Sequence, residues 1–509
     1  MDELSNDELK KRLVSLEEKV EKHQEQLRSL SILLNAQGRI FEVSNWTPTP
    51  SVTEEKTETV GATFQRVEFN AEKSHNKVER LRNTPVGQFY LKYLKKNTLI
   101  RWVVLWLWRN GYPIYANAHA HLSGNNKHRW RELTSHKCYV AERNLRSRVL
   151  IPEDRVETPA PRVFPTEERK YLISPHASYV YPEIYVFSAS NAIAHGGSNF
   201  VLIEDKILHH DLYDFARDYT SEELHGRLVF DRTLSKGRWL SHDTGPEVIP
   251  VAASFLDSCA PNYAHWMTEV LPRVATFCAI DDYSDIPILI NDGLHRNLME
   301  SLRVITGYDR KIIVLPTGKA AVVAKLYITS VAGYVPFERR NALLDGHSHG
   351  MFSPSAFDLL KLSTESQAVQ SEGNWPEKII LRRRTGARLV SNFAELELAL
   401  VPKGFKVVET ERLTFIEQFL LFSRAKIIIG SSGAALANLM FAPKDAKIFI
   451  LISKFPDTSY WYWQNIACSS GKQISYVLGE ADSTGKGIHA DFSIDLKNFL
   501  SVLEADISA

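Results

Sequence analysis

The residues best suited to acid–base chemistry lie together in one stretch, Asn262–Arg273, which reads NYAHWMTEVLPR. His265 and Glu269 are four residues apart, so on a helix they project from one face with their Cβ atoms about 5–6 Å apart. A carboxylate beside an imidazole makes it more basic, and such a pair can orient a group and accept a proton. Asn262 lies one turn earlier on roughly the same side, and Pro272 is expected to end or bend the helix. An ordinary amphipathic helix with a surface His–Glu pair has the same spacing, and this stretch alone leaves both interpretations open.

A second segment, residues 426–443, reads KIIIGSSGAALANLMFAP and predicts a strand, a tight turn and a helix. The turn consists of Gly430, Ser431, Ser432 and Gly433. Glycine lets the backbone come close to a ligand, and the N–H groups at the start of a helix favour an anion. The pattern is neither a GxGxxG dinucleotide loop nor a Walker loop. A plain tight turn without a ligand is the alternative.

A basic segment lies upstream of this turn, at residues 379–392 (IILRRRTGARLVSN). Four arginines, Arg382, Arg383, Arg384 and Arg388, follow a strand-like apolar run. The planar guanidinium group suits the oxygens of a diphosphate because it offers two parallel donors. A solvated basic face explains the same residues without a ligand, and we expect it to account for some of the four.

These three segments, in this order, resemble the family 61 glycosyltransferases, which are inverting sugar transferases. The family typically shows an HW..E.LPR element, an R…R element and a G.HGA.L.N..F..P element, and the resemblance covers roughly residues 165–480. Ser432 stands where the family has a histidine. This departure shifts the expected catalytic role toward His265 and Glu269.

The resemblance implies a GT-B architecture, in which two Rossmann-like lobes face each other and the donor nucleotide binds mainly to the C-terminal one. It also implies no obligatory metal, and no cofactor is expected. The expected reaction is a single in-line displacement at the anomeric carbon of a nucleoside diphosphate sugar, with a UDP-sugar as the first choice. Either His265 or Glu269 is expected to be the base. The residues expected to bind substrate or to support the site are Asn262, Arg273, Arg382, Arg388, Gly430, Ser431, Ser432, Gly433 and Asn438.

The pattern of apolar runs is independently consistent with an α/β fold. Beyond residue 250, short apolar runs alternate with helical patterns, which favours a mainly parallel sheet with helices on both faces. The runs expected as strands are 249–255, 286–292, 311–316, 325–331, 378–384, 404–410, 425–431 and 447–453, and the expected helices are 295–308, 392–400 and 414–425. In such sheets ligands bind at the carboxyl ends of the strands, where the 430–433 turn falls.

The length of 509 residues predicts two or three domains. We expect a coiled-coil helix at 1–40, a polar linker at 41–84, an accessory segment at 85–160, an acceptor-side Rossmann-like lobe at 161–365 and a nucleotide-sugar-binding lobe at 375–509. The polar, proline-containing residues 362–378 are interpreted as the linker between the two lobes.

Leucine and valine recur by fours and threes through the first forty residues, as a heptad pattern requires. The heptad positions are Leu9, Leu13, Leu16, Val20, His23, Leu27, Leu30 and Leu34. This pattern predicts a homo-oligomer joined by a coiled coil, either dimer or trimer. A single amphipathic helix packed on its own domain is the alternative.

Residues 91–110 (LKYLKKNTLIRWVVLWLWRN) combine tryptophan with lysine and arginine. The apolar part, residues 99–108, is too short for a bilayer span, which needs about twenty residues. Aromatic and cationic side chains together suit a membrane interface. Peripheral contact with the inner face of a membrane and burial against the catalytic lobe both remain open, and the expected location is cytoplasmic. The acidic N-terminus gives no signal-peptide pattern.

Composition argues against several other classes of protein. Lysine and arginine number 61 against 60 aspartates and glutamates, so no global positive field favours nucleic acid. The four cysteines are scattered without a CxxC pair and are expected to be reduced core thiols. Two histidine groups, at 119–128 and 347–349, lack further residues at ligand spacing, so no metal site is predicted.

Two other functions fit the same motifs. A nucleotide-sugar epimerase has a similar two-lobed shape. Since fold alone does not decide chemistry, this alternative stays open. A non-catalytic coiled-coil scaffold would bind nucleotide without turnover, and the serine at position 432 would be the first sign of a decayed site.

Overall fold

Two large β-sheets and the helices around them form a mixed α/β fold. The computed structural model describes residues 129–171, 177–240, 245–336, 338–340, 350–368, 373–384, 387–455, 460–482 and 490–508. All of them belong to one unit that spans Arg66–Ala509. The predicted coiled coil, the polar linker at 41–84, the tryptophan-rich segment and both histidine groups lie outside the described residues.

The helices and strands are numbered in chain order. The strands are β1 (Trp130–Ser135), β2 (Ser147–Ile151), β3 (Asp154–Thr158), β4 (Arg162–Phe164), β5 (Ala177–Tyr181), β6 (Ile184–His195), β7 (Val201–Ile203), β8 (Lys206–His209), β9 (Asp218–Tyr219), β10 (Leu228–Phe230), β11 (Lys236–Trp239), β12 (Glu247–Ser254), β13 (Ile288–Asn291), β14 (Ile312–Leu315), β15 (Ala320–Thr329), β16 (Gly333–Tyr334), β17 (Glu338–Arg339), β18 (Met351–Phe352), β19 (Lys378–Leu381), β20 (Lys406–Val408), β21 (Ile427–Ser431), β22 (Lys447–Ser453), β23 (Ile474–Ala481) and β24 (Phe492–Ser493). The α-helices are α1 (His136–Glu142), α2 (Ser221–Leu224), α3 (Tyr263–His265), α4 (Leu271–Cys278), α5 (Arg296–Thr306), α6 (Pro354–Ala368), α7 (Phe393–Leu400), α8 (Phe415–Arg424), α9 (Trp461–Ser469) and α10 (Leu496–Ser508). Short 3₁₀ turns cover Thr166–Tyr171, Asp281–Tyr283, Val401–Lys403, Thr410–Arg412 and Ala434–Phe441, and a π-helical turn covers Trp266–Val270.

The first sheet is mixed. Its order is β10-β11-β1-β8-β7-β6-β15-β12-β13-β14, and β2 also pairs with β6. Strands β15, β12, β13 and β14 are parallel neighbours, whereas β6 runs antiparallel to β15 over a long register. The mainly parallel sheet expected from the sequence therefore describes only one part of this sheet.

The second sheet is parallel from β20 to β23, in the order β20-β19-β21-β22-β23-β24, with β24 antiparallel at the edge. Its strands are continuous runs of buried Ile, Leu and Phe, as expected of strands covered on both faces. Strand β4 adds to β23 from far upstream in the chain. The described helices include none that is long and apolar enough to cross a membrane.

The structure confirms the strands and helices expected beyond residue 250. Each of the eight apolar runs overlaps a strand, from β12 to β22, and the three helical patterns contain α5, α7 and α8. Helix α8 begins at a complete capping box, in which Thr414 accepts from the Glu417 N–H and Glu417 accepts from the Thr414 N–H. Local patterns therefore located these elements well.

Two expectations about the boundaries differ from the structure. The interpretation of residues 362–378 as linker is wrong for its first part, because α6 continues to Ala368 and buries Leu360 and Thr364. The accessory segment expected at 85–160 contains β1 and β2, which are strands of the first sheet. The division into two Rossmann-like lobes stays a prediction. All four cysteines are free, and Cys138 is exposed rather than buried in the core.

The segment that carries the His–Glu pair is helical from Tyr263 to Cys278, with the π-helical turn in its middle. The Leu271 N–H donates to the Trp266 carbonyl, five residues back, instead of to the carbonyl four residues back. Pro272 explains the wider turn, because proline has no N–H and its ring clashes with the carbonyl four residues earlier. The helix therefore widens at the proline rather than ending there.

The widened turn leaves the Thr268 carbonyl without the N–H of residue 272, and Gly333 of β16 packs directly on it. A Cβ atom on Gly333 would lie 2.1 Å from the Thr268 oxygen. Only glycine allows this approach. Strand β16 is consequently held close to the helix. Its Gly333 lies two residues before Val335 in the chain.

We expect the Gly333→Ala variant to lower the free energy of unfolding by about 1–3 kcal/mol, as for other overpacked sites, because two backbone segments must separate. Urea unfolding followed by circular dichroism measures this change. Gly245→Ala is the matched control, since a Cβ atom there meets nothing within 4 Å. Equal urea midpoints for the two variants would contradict the close approach.

Candidate functional site

The helix that carries the His–Glu pair begins at Asn262. The Asn262 side chain accepts a hydrogen bond of 2.9 Å from the Ala264 N–H, and its backbone is extended, as for a helix N-cap. This bond uses the acceptor of the Asn262 side chain. The structure therefore gives Asn262 a local reason for its position, which is to start the helix one turn before His265 and about two turns before Glu269.

His265 and Glu269 are in direct contact, as their spacing predicts. His265 Nδ1 hydrogen bonds to Glu269 Oε1, and the Val335 N–H donates to Glu269 Oε2 at 3.1 Å. The Glu269 side chain is 11% exposed and that of His265 is 20% exposed. Both Glu269 oxygens are thus engaged, while Nε2 of His265 is the ring nitrogen that this pairing leaves available.

Burial and proximity change the acidity of both groups. Burial alone disfavours the His265 imidazolium, but the charge and the hydrogen bond of Glu269, with a smaller effect of Asp257, raise the pKa of His265 above its ordinary value. Burial also raises the pKa of Glu269, while His265 opposes that rise. Both pKa values are raised, so the pair retains a proton to higher pH than the isolated side chains do. When Nδ1–H donates to the carboxylate, that proton is on the imidazole.

Arg273 lies one turn further along the helix and is 5% exposed. Its guanidinium group lies 5.5 Å from the centre of the Phe255 ring and donates weakly to the Leu256 carbonyl at 3.5 Å. Its charge acts on Asp257 and Glu269, both of which are buried. Arg273 is therefore placed to compensate two buried carboxylates.

A small polar cavity of about 20 Å³ lies on the inner side of Glu269. It is lined by Asn199, His210, Tyr213, Asp257, Ser258, Cys259, Glu269, Arg273, Val331, Gly333, Tyr334 and Val335. Asp257 is fixed there, since its carboxylate accepts from the Cys259 N–H at 2.8 Å and from Asn199 at 3.3 Å. A cavity of this size has room for about one water molecule and none for a sugar.

The glycine-serine turn follows β21 at the carboxyl edge of the second sheet. Gly430 is still part of the strand, and a Cβ atom there would lie 3.0 Å from the Leu381 side chain. The Arg383 guanidinium occupies the space that a side chain at position 433 would need. A Cβ atom on Gly433 would lie 2.5 Å from an Arg383 nitrogen. The 3₁₀ helix Ala434–Phe441 then begins, and its first N–H groups have no partner within the helix.

Ser432 and Asn438 turn away from that edge. Ser432 is 5% exposed and its hydroxyl accepts a hydrogen bond of 3.0 Å from the Trp463 indole. Asn438 is fully buried and donates to Gln418 at 3.0 Å. The Tyr263 hydroxyl lies 2.8 Å from Asn438 Oδ1 and 3.0 Å from Gln418 Oε1. Asn438 thereby ties the helix of His265 to the helix that follows the glycine turn.

The four arginines have four different environments. Arg382 contacts Glu397 at 3.3 Å and lies 5.2 Å from the centre of the Phe393 ring, whereas Arg384 pairs with Glu409. Arg388 has a left-handed backbone with φ of 67°, which is uncommon for a residue with a side chain. Burial and then the charge of Arg383 lower the pKa of Arg388, so these two cations are close.

A cleft of about 420 Å³ opens between the start of the His–Glu helix and the carboxyl edge of the second sheet. It is lined by Pro261, Tyr263, His295, Asn297, Leu298, Leu381, Arg382, Arg383, Thr410, Glu411, Gln418, Ser431, Gly433, Ala434 and Ala435. The cleft thus combines arginines, backbone donors and the Thr410–Arg412 turn along the sheet edge with polar side chains at the start of α5. Such a mixture of cations and convergent polar groups is typical of a binding site for a polar, anionic ligand.

The cleft contains three of the residues expected from the sequence, namely Arg382, Ser431 and Gly433. The structure places the others elsewhere: His265, Glu269 and Arg273 are on the adjoining helix, Gly430 is in the strand, and Asn262, Arg388, Ser432 and Asn438 are not among the lining residues. Sequence reasoning missed Tyr263, Asn297, Glu411 and Gln418 as lining residues. A signal existed only for Arg383, which belongs to the predicted basic run.

The described residues contain no group of three or more His, Cys, Asp or Glu side chains that could hold a metal ion.

Residues 263–449 match a family model described as Glycosyltransferase 61, which supports a glycosyltransferase of that family. The matched range begins at Tyr263 and contains the His–Glu pair, the arginines, the glycine turn and all cleft-lining residues except Pro261. No curated protein matches the chain.

The contact between His265 and Glu269 predicts a change in histidine titration. In Glu269→Gln the carboxylate charge is lost while burial continues to disfavour the imidazolium, so the pKa of His265 should move from above to below its ordinary value. Titration of ¹³C-labelled histidine by NMR measures it, and the spectrum of His265→Ala identifies the resonance. An unchanged pKa in Glu269→Gln would show that the carboxylate does not govern the imidazole.

Proposed function

We propose that this protein is an inverting glycosyltransferase that moves a sugar from a nucleoside diphosphate sugar to a hydroxyl group of a surface polysaccharide or glycolipid. A UDP-sugar is the first choice of donor. The observation that carries this proposal is the cleft, in which arginines and a glycine turn lie opposite the first turn of the helix that holds the His265–Glu269 pair. The family match over the same residues supports it.

The diphosphate of the donor is assigned to the wall made by Arg383, Gly433 and the first residues of the 3₁₀ helix. Gly433 makes room for the Arg383 guanidinium beside the backbone, and the N–H groups of Ala434 and Ala435 are available donors at a helix start. Arg382 adds a second cation in the cleft and Arg388 one behind it. This positive wall stabilises the charge that builds on the leaving diphosphate.

His265 is assigned as the general base, with Glu269 as the group that positions it. Both Glu269 oxygens already accept hydrogen bonds, from His265 and from the Val335 N–H, so Nε2 of His265 is the better proton acceptor. Glu269 holds the ring and stabilises the imidazolium that forms, as the carboxylate does in a catalytic triad.

The transfer step follows from this assignment. The acceptor oxygen attacks the anomeric carbon from the face opposite the diphosphate, and the bond between that carbon and the diphosphate oxygen breaks with its electrons. The acceptor proton moves to Nε2 of His265. A single displacement of this kind inverts the anomeric configuration. Because the pKa of His265 is raised, the base is protonated at low pH, and activity should rise as the pH passes through that pKa.

The proposed oligomeric state and membrane contact rest on sequence patterns. A coiled coil at 1–40 would join the subunits into a homo-oligomer, and residues 99–108 would bring them to the inner face of a membrane from the cytoplasm. Such a position suits a lipid-linked acceptor. Independence from metal is part of the proposal and rests on the family resemblance.

Binding of UDP should depend on Arg383 and not on its neighbour Arg384. Loss of a charge-assisted contact in Arg383→Ala is expected to weaken UDP binding about tenfold or more. Arg384→Ala is the matched control, because Arg384 pairs with Glu409 and does not line the cleft. Isothermal titration calorimetry with UDP, GDP and CMP, each with and without EDTA, measures the affinities. Equal affinities of the two variants would refute the assigned diphosphate wall.

Transfer should depend on the His–Glu pair while nucleotide binding does not. We expect His265→Ala and Glu269→Gln to lower the rate by about 100-fold or more, the usual contribution of a general base. The assay is UDP release from a panel of UDP-sugars in the presence of a glycolipid or polysaccharide acceptor fraction, with UDP affinity as the control for folding. Full activity of both variants would refute the site, and UDP binding without turnover in the wild type would favour the scaffold.

A further inference from the structure

One end of the cleft holds two hydrogen-bond acceptors for which the described residues supply no donor. Glu411 lines the cleft, and its carboxylate has no ion-pair or hydrogen-bond partner among the described residues. Asn297 lines the same cleft, is 4% exposed, and has an unpartnered, buried Oδ1 atom. A buried acceptor without a donor, such as Asn297 Oδ1, is unfavourable, and the exposed Glu411 carboxylate lies beside it, so this end of the cleft suits a ligand that brings donors.

The orientation of the Asn297 side-chain amide is determined by the hydrogen bond of its Nδ2 atom. Asn297 Nδ2 donates to the Leu413 carbonyl at 2.8 Å, so Oδ1 must be the atom that remains. Leu413 is two residues after Glu411 in the chain, which places the two acceptors at the same end of the cleft. The site therefore combines residues from α5 and from the Thr410–Arg412 turn.

The opposite end of the cleft has the opposite character. Strands β21, β19 and β20 are adjacent in the second sheet, and the glycine turn, the Arg382–Arg383 pair and the Thr410–Arg412 turn follow their carboxyl ends in that order. Neighbouring strands are about 4.8 Å apart, so Glu411 lies roughly 10 Å along the edge from the glycine turn. A ligand that spans the cleft meets cations and N–H groups first and a carboxylate last.

This order of charges restricts the ligand. A bare polyphosphate is disfavoured because the carboxylate repels its far end. The complementary molecule is anionic at one end and carries hydroxyl or N–H donors at the other, which describes a ribonucleoside diphosphate. In dinucleotide-binding folds an acidic residue past a neighbouring strand likewise accepts hydrogen bonds from ribose.

We propose that Glu411 accepts hydrogen bonds from the ribose hydroxyls of the nucleotide and that Asn297 Oδ1 accepts one from the same nucleoside, so that the cleft selects ribonucleotides over deoxyribonucleotides. This inference rests on the proposed function. The carboxylates that flank the arginines are already engaged, Glu409 by Arg384 and Arg412 and Glu397 by Arg382. Glu411 is the specificity-determining residue.

The test compares three probes by calorimetry, namely UDP, 2′-deoxy-UDP and inorganic pyrophosphate. Wild-type protein should bind UDP about tenfold or more tighter than 2′-deoxy-UDP, the effect of one hydrogen bond to a charged group. Glu411→Ala should abolish this preference, and Glu411→Gln should reduce it. Pyrophosphate should bind the variants as well as the wild type or better, because a repulsive charge is removed. Glu377→Gln, at the other end of β19 and paired with Lys426, is the matched control and should keep the wild-type preference.

The outcomes separate this inference from the proposed function. Equal binding of UDP and 2′-deoxy-UDP by the wild type, or a preference that survives in Glu411→Ala, would overturn the role of Glu411 and leave the transferase proposal intact. No binding of any nucleoside diphosphate by the wild type would overturn both. A loss of pyrophosphate binding in both Glu411→Ala and Glu411→Gln would show that Glu411 maintains the structure of the cleft. That result would also overturn the ribose contact.

Discussion

The buried carboxylate of Glu269 is the constraint on which the arrangement of the site depends. A carboxylate inside a protein is unfavourable unless it is paired and hydrogen bonded. Here the partners come from three places: His265 one turn earlier, the Val335 N–H after β16, and the charge of Arg273 one turn later. Strand β16 can deliver Val335 only because Gly333 packs against the Thr268 carbonyl, which the wide turn before Pro272 leaves open.

The second organising feature is the alignment of three parallel strands. Because β20, β19 and β21 run in the same direction, their carboxyl ends bring the Thr410–Arg412 turn, an arginine pair and a glycine turn to one edge. The network of Tyr263, Gln418 and Asn438 then fixes that edge against the helix of His265. The proposed base and the proposed diphosphate wall therefore belong to one connected structure, although different sheets support them.

The local features of this structure were largely predictable. His265 and Glu269 meet because residues four apart on a helix must meet, and the strands that end at Leu381 and Ser431 are apolar runs of the expected length. The antiparallel half of the first sheet was not foreseen, because β6 pairs with β15 more than a hundred residues away and its alternation of small and large residues gives a weak signal. The helix α6 extended into a polar segment because it buries Leu360 and Thr364 against its neighbours.

The sequence by itself determined which residue types are present at each strand end and which pairs lie on one helix face, since these follow from backbone geometry over a few residues. Only the tertiary structure decided which polar groups reach the cleft. Ser432 and Asn438 carry the expected chemistry but are turned inward by Trp463 and by Tyr263 with Gln418, partners up to 175 residues distant. Asn297 and Glu411 carry no motif, and they line the cleft because α5 packs beside the turn that follows β20. Packing between distant segments, which no local pattern records, makes that difference.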